Sequence, residues 1–180
     1  MKPPGLITVI VAVTFTTLIA TTLGEERAAP STPKVTVGVF DSRAIVIAYA
    51  NSEMFQNSMK ETKEQYRAAK AAGNEETTQA IEARTKAKQE EFHRQAFAAT
   101  PVTDLLELIK DEIPGIADRA GVDLIVSKWQ IVHQVEGAEV VDVTMALIDP
   151  FKPNEKALKS IADIKGKMPV SLAELEGRED

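Results

Sequence analysis

The run Lys34 to Phe40, KVTVGVF, places valines at 35, 37 and 39, the period of two that a half-buried strand requires. Nothing in the next roughly seventy residues could pair with it. An isolated strand is unstable, so its partners must return from the far side of a long excursion. The chain is therefore expected to build a small sheet whose halves are separated in sequence by everything between them.

The excursion reads as helix. Asp41 or Ser42 can accept hydrogen bonds from the free amides of a first turn, so a helix should begin there. From Arg43 to Ala99 there is no proline, and glycine occurs once, at Gly73 in the tip-like AAGNEET. Two helices joined by a tight turn follow. On the first arm Phe55, Met59, Thr62, Tyr66 and Ala69 step by four and three, and on the second Ile81, Thr85, Lys88, Phe92 and Gln95 repeat the rhythm. This is a heptad seam weakened by Thr and Lys. Eight glutamates between Glu53 and Glu91 are balanced by Lys60, Lys63, Arg67, Lys70, Arg84, Lys86, Lys88 and Arg94, so the hairpin is solvated and near neutral. A polar hairpin lying on its own body is one reading and a projecting arm is the other. A continuous helix from Arg43 to Ala72 would span about 45 Å.

Pro101 interrupts the descending arm, and Thr100 or Thr103 can cap a return helix carrying the stripe Leu105, Leu106, Ile109, Ile113 and Ile116, with a kink expected at Pro114 and a C-cap at Gly121. Two β-rich runs follow, Val122 to Ser127 and Gln130 to Val135, joined by Lys128 and Trp129, and then a short third run from Glu139 to Val143. Leu124, Val126 and Ile131 offer the apolar surface that Val35, Val37 and Val39 lack. Asp142 or Thr144 can cap a short helix, DPFKPN makes a turn, and NEKALKSIADIK reads as a last helix; the acidic tail from Gly166 is expected to be loosely attached.

At the N-terminus, Lys2 precedes an uncharged run from Pro3 to Gly24 and the cluster Glu25, Glu26, Arg27, the pattern of an export signal with Thr22 and Gly24 at a cleavage spacing. The run approaches the ~20 residues that span a bilayer, so an uncleaved anchor with membrane association is the alternative. There is no cysteine, hence no covalent staple. Loss of residues 1–24 removes Lys2 and leaves 20 cations against 27 anions, which argues against a nucleic-acid partner. Aromatic residues make up only 5%, thin for one large core and better suited to an elongated or oligomeric design.

Reactive chemistry is sparse. The chain has two histidines and no phosphate-binding glycine loop or nucleophile elbow. His93 with Glu90 and Glu91 offers fewer ligands than a metal site normally assembles. His133 is expected within a strand, and Trp129 at the β-turn reads as a packing anchor. Asp41 and Asp142 would form a carboxylate pair only if the two junctions converged, and capping explains each. No enzyme, cofactor or metal is expected.

The segments KVTVGVFDSRAI and AGVDLIVSKWQIVHQVEGAEVVDVTMALI, with a helical hairpin between them, resemble the Skp (OmpH) family of periplasmic chaperones over about Lys34 to Asp149. The resemblance implies an α+β fold: a small antiparallel-type β body (34–41 and 122–149) shared in a homotrimer, a long protruding helical hairpin or coiled-coil arm (43–99), and a return helix (102–120). Residues 1–24 would be the export signal or anchor, 25–33 a linker, and 150–180 a C-terminal extension. It further implies an ATP-independent periplasmic holdase for unfolded outer-membrane proteins. Client contact is expected at Phe55, Met59, Tyr66, Phe92 and Phe97, and body packing or trimer assembly at Val35, Val37, Val39, Leu124, Val126 and Ile131. The competing expectation is a membrane-tethered structural coiled-coil protein of the cell envelope.

Overall fold

The computed structural model describes residues 34–177; the expected export segment, 1–24, and linker, 25–33, lie outside the described residues. The chain begins with β1 (Val37–Phe40) and passes at Asp41 into α1 (Ser42–Ala50). Asp41 has extended backbone and its carboxylate accepts from the Arg43 amide, which is the expected cap. Two longer helices follow, α2 (Glu53–Ala71) and α3 (Glu75–Ala98), joined by a turn at Gly73, whose φ is +66°. The left-handed backbone there favours glycine. Asn74 caps α3 by accepting from the Thr77 amide at 2.9 Å.

The continuous ascending helix from Arg43 to Ala72 does not form. The Ser52 hydroxyl donates to the Tyr49 carbonyl at 2.6 Å and accepts from the Phe55 amide at 3.2 Å, closing α1 and opening α2 with one side chain. That leaves α2 with 19 residues, about 28 Å of helix rather than 45 Å. Within α2, Phe55, Met59, Thr62, Tyr66 and Ala69 are the shielded residues among exposed neighbours, so the expected seam faces α3.

The return helix is likewise divided, into α4 (Thr103–Leu106), a 3-10 turn (Glu107–Ile109) and α5 (Ile113–Ala120). Pro114 lies in the first turn of α5, where its missing N–H costs nothing, so it starts a helix instead of kinking one. Gly121 terminates α5 at φ +65°, as its position suggested.

The antiparallel-type pairing is corrected by the strand directions. Strand β2 (Leu124–Ser127) and strand β3 (Val140–Asp142) flank β1 in the order β2-β1-β3, and both run parallel to it. A crossover as long as 41–123 imposes no direction, and a parallel neighbour requires one. The hairpin expected over Val122–Val135 is absent because a polar cluster takes up its turn. Lys128 and the Trp129 indole both reach Asp41, and Ser127 accepts from the Trp129 amide, which folds Lys128–Gln130 into a 3-10 turn. Residues 131–135 leave it without joining the sheet, so Ile131 is half-buried outside the ladder and His133 is exposed.

One face of the sheet carries Gly38, Phe40, Ile125 and Val141 against a core of Ala44, Ile45, Tyr49, Leu105, Ile109 and Ile116, with α6 (Thr144–Ile148) contributing Leu147 and Ile148. The C-terminal extension closes this core. Phe151 is 2% exposed and stacks edge-on to Tyr49 at 5.9 Å, and α7 (Glu155–Ile164) buries Ala157 and Ile161. Even the tail is attached, contrary to expectation: the Val170 amide donates to the Phe97 carbonyl, and α8 (Leu172–Glu176) packs on α3.

If residues 150–165 are part of the fold, Phe151→Ala should lower unfolding free energy by about 3–5 kcal/mol. Urea denaturation followed by circular dichroism measures this, and an unchanged midpoint would show the extension to be dispensable.

Candidate functional site

Two assemblies have the geometry of a site, a groove on the helical hairpin and a polar cluster at the carboxyl ends of the strands. The groove, about 960 Å³, is lined by Phe55, Met59 and Thr62 of α2 and by Thr85, Lys88 and Phe92 of α3. Its base is aromatic. Tyr49 lies 5.5 Å from Phe55 and 5.8 Å from Phe92, and those two rings are 5.8 Å apart. Higher up, the walls are polar, with Arg84 donating to Gln65 at 3.3 Å; beyond the groove Tyr66 donates to Glu82 at 2.9 Å.

The foot of the arm is fixed by charge. Lys88 reaches Asp104 at 2.6 Å and Glu91 at 2.9 Å and lies 4.8 Å over the Phe92 ring. Burial pushes the Lys88 ammonium down, but its bonds to the two carboxylates outweigh that and hold it above the ordinary lysine range. For Asp104, burial pushes up while hydrogen bonds from Lys88 and Gln95 bring the carboxyl below its ordinary value. Gln95 also donates to the Pro101 carbonyl at 3.0 Å. This ties the end of α3 to α4 across Ala99, a non-glycine residue with φ +53°.

Of the residues expected to touch a client, Phe55, Met59 and Phe92 converge on the groove. Tyr66 sits farther out along the hairpin and does not line it. Phe97 lies at the foot, 55% exposed, with its ring 6.1 Å from His93. Phe55 and Phe92 also pack against the core, so part of their surface serves the fold.

The second assembly centres on Asp41. Its carboxylate accepts from Arg43 Nε at 3.0 Å, Arg43 Nη2 at 2.8 Å, the Trp129 indole at 2.9 Å and Lys128 at 2.9 Å. Arg43 also donates to the carbonyls of Ile164 and Lys167, at 3.3 and 2.8 Å, and its guanidinium lies 4.6 Å over the Trp129 ring. Burial alone would raise the Asp41 carboxyl, but hydrogen bonds from Arg43, Lys128 and Trp129 prevail and bring it from 3.8 to about 2. A carboxylate so fully paired cannot act as a base at neutral pH. Nor does it pair with Asp142, whose carboxylate caps the Thr144 amide at 2.9 Å. The arrangement is a structural clasp.

Sequence reasoning placed Asp41 as a cap but missed Arg43 and Lys128 as its partners. Lys128 is 87 positions away, and Arg43 looks like an ordinary surface arginine on a helix. Among the described residues no group of three or more His, Cys, Asp or Glu side chains could hold a metal, and no helix is long and apolar enough to cross a membrane. No family model matches the chain, and neither a curated protein nor a solved structure matches it.

The depressed Asp41 value fixes the sign of a pH effect. The carboxylate is charged in the folded state down to about pH 2, whereas in the unfolded chain it protonates near 3.8. Its stabilisation, about 2 kcal/mol, is therefore complete above about pH 4 and fades as pH falls towards 2. Asp41→Asn should cost about 3–5 kcal/mol at neutral pH, because it strands a buried arginine, and should flatten the acid limb of the stability curve. Urea midpoints between pH 7 and pH 2.5 test both; an unaltered acid limb in the variant would contradict the assignment.

Proposed function

We propose that the chain is a periplasmic holdase, exported by its N-terminal segment, that binds unfolded outer-membrane polypeptides on its helical arms without ATP, as a homotrimer. The reading rests first on the arm groove. It has an aromatic base, a methionine, and polar walls supplied by flexible side chains, a surface suited to many weak contacts with unlike sequences. The seam contains Thr62, Thr85 and Lys88 where a self-sufficient hairpin would carry leucine, so apolar area is left for another chain.

Assembly is supported by the open face of the sheet. Parallel sheets are found with both faces covered, because their crossovers bury them. Here Val37, Val39, Leu124, Val126 and Val140 share the face opposite the core, with Val35 extending it. Val35 is 53% and Leu124 41% exposed, and Val37, Val39, Val126 and Val140 are half-buried. Both outer strands are short edges that favour covering. A shared body would protect face and edges together, with Ile131 contributing from outside the ladder. The resemblance of the two end segments to the Skp (OmpH) family points the same way.

Light scattering of the mature chain should give the mass of a trimer, and Leu124→Lys combined with Val39→Lys should reduce it to a monomer with its helical signal retained. In the same preparation, an unfolded outer-membrane β-barrel protein diluted from urea should stay soluble at near-stoichiometric ratio. Met59→Ser with Thr62→Asp should weaken that protection several-fold without changing the mass. A trimer that leaves aggregation untouched would sink the chaperone reading and favour the envelope scaffold.

A further inference from the structure

A second groove, about 580 Å³, is lined by Ala50 and by α2, with Phe55 and Met59 at its floor and Lys60, Lys63, Arg67 and the single carboxylate Glu64 along its wall. Those three cations recur every three or four residues, so they form one exposed stripe. None of them has an ion pair or side-chain hydrogen bond among the described residues. On α3, by contrast, Lys86 and Lys88 reach Glu90, Glu91 and Asp104. Carboxylates are not scarce in a chain with 27 of them against 21 cations.

Like charges three and four residues apart weaken a helix, so the stripe is held at a cost to α2. Glu64 lies four residues after Lys60, the less favourable order for a pair, and three before Arg67, the favourable one, yet bridges neither within 4 Å. An apolar floor beside a wall of three cations and one carboxylate, net positive, selects a ligand with both characters.

We propose that this groove docks acidic, amphipathic polypeptide segments, apolar side chains on Phe55 and Met59 and carboxylates against Lys60, Lys63 and Arg67. Lys60 and Arg67 are about 10 Å apart along the axis, the spacing of carboxylates seven residues apart on a partner helix. The inference rests on the holdase reading and narrows its client class: segments carrying Glu or Asp beside apolar residues are retained longer than neutral segments of equal hydropathy.

The test uses the full mature chain and a fluorescein-labelled helical peptide of leucine, alanine and glutamate, compared by anisotropy with the same peptide carrying glutamine for glutamate. The glutamate peptide should bind roughly tenfold more tightly, and the advantage should shrink between about 0.05 and about 0.5 M salt. Lys63→Glu with Arg67→Glu should abolish the difference while leaving circular dichroism, mass and protection of a neutral unfolded client unchanged. Equal affinity for the two peptides would overturn the proposal. So would charge-dependent binding of the stripe to phosphatidylglycerol vesicles without peptide discrimination. If discrimination holds while no client is protected, the docking surface stands and the holdase reading falls.

Discussion

The buried pair of Asp41 and Arg43 holds together parts of the chain that hydrophobic packing alone would leave free to slide. Asp41 ends the central strand and caps the first helix, while its carboxylate gathers Lys128 and Trp129 from the end of β2. Arg43 reaches the other way, to the carbonyl of Ile164 at the end of α7 and that of Lys167 just beyond it. A buried ion pair is weak evidence for stability, since two desolvated charges are costly. Its value lies in uniqueness: each donor has a single geometry that satisfies it, so strand order, the turn after β2 and the docking of the C-terminal helices are fixed in one arrangement.

That fixing has a consequence for the sheet. By drawing Lys128 and Trp129 towards Asp41, the cluster removes the residues that would have turned β2 back antiparallel. Residues 131–135 are left outside the sheet, with Val132 and Val135 in solvent, and β3 joins from the other side. The resulting sheet has helices and a core on one face and valines on the other. Parallel sheets are ordinarily covered on both faces, and this one packs its helices on one. The same polar contacts that order the sheet therefore leave its valine face opposite the core.

Much of this plan could be read from local chemistry. The valine alternation, the Asp41 cap, the turn at Gly73 and the stop at Gly121 each depend on residues adjacent in sequence, and each appears where the pattern put it. The seam also appears, because a heptad spacing is itself a geometric statement. Three features could not be read. Ser52 looks like any polar residue on a helix until its hydroxyl is seen to serve Tyr49 and Phe55 together. Strand direction is undetermined when the crossover is long. And the β-rich composition of 130–135 is a local preference that a distant carboxylate overrides. For the candidate site, the aromatic and methionine residues were visible as types, but which of them converge depends on where α1 stops. Ending it at Ala50 brings Tyr49 between Phe55 and Phe92.

The arm then has an unequal distribution of rigidity. At its foot, Lys88, Gln95 and Asp104 form a connected polar network over an aromatic cluster, and α1 packs against α3. Towards the tip the shielded positions are Thr62, Tyr66, Ala69 and Ile81, which bury little apolar area between the helices. Regions with few buried contacts open at low free-energy cost, whereas the foot opens only with the body. A hairpin anchored at one end and loosely paired at the other can separate its helices without unfolding the domain. Apolar residues of the seam would then be exposed in proportion to how far it opens. The weakness of the seam is what permits that opening.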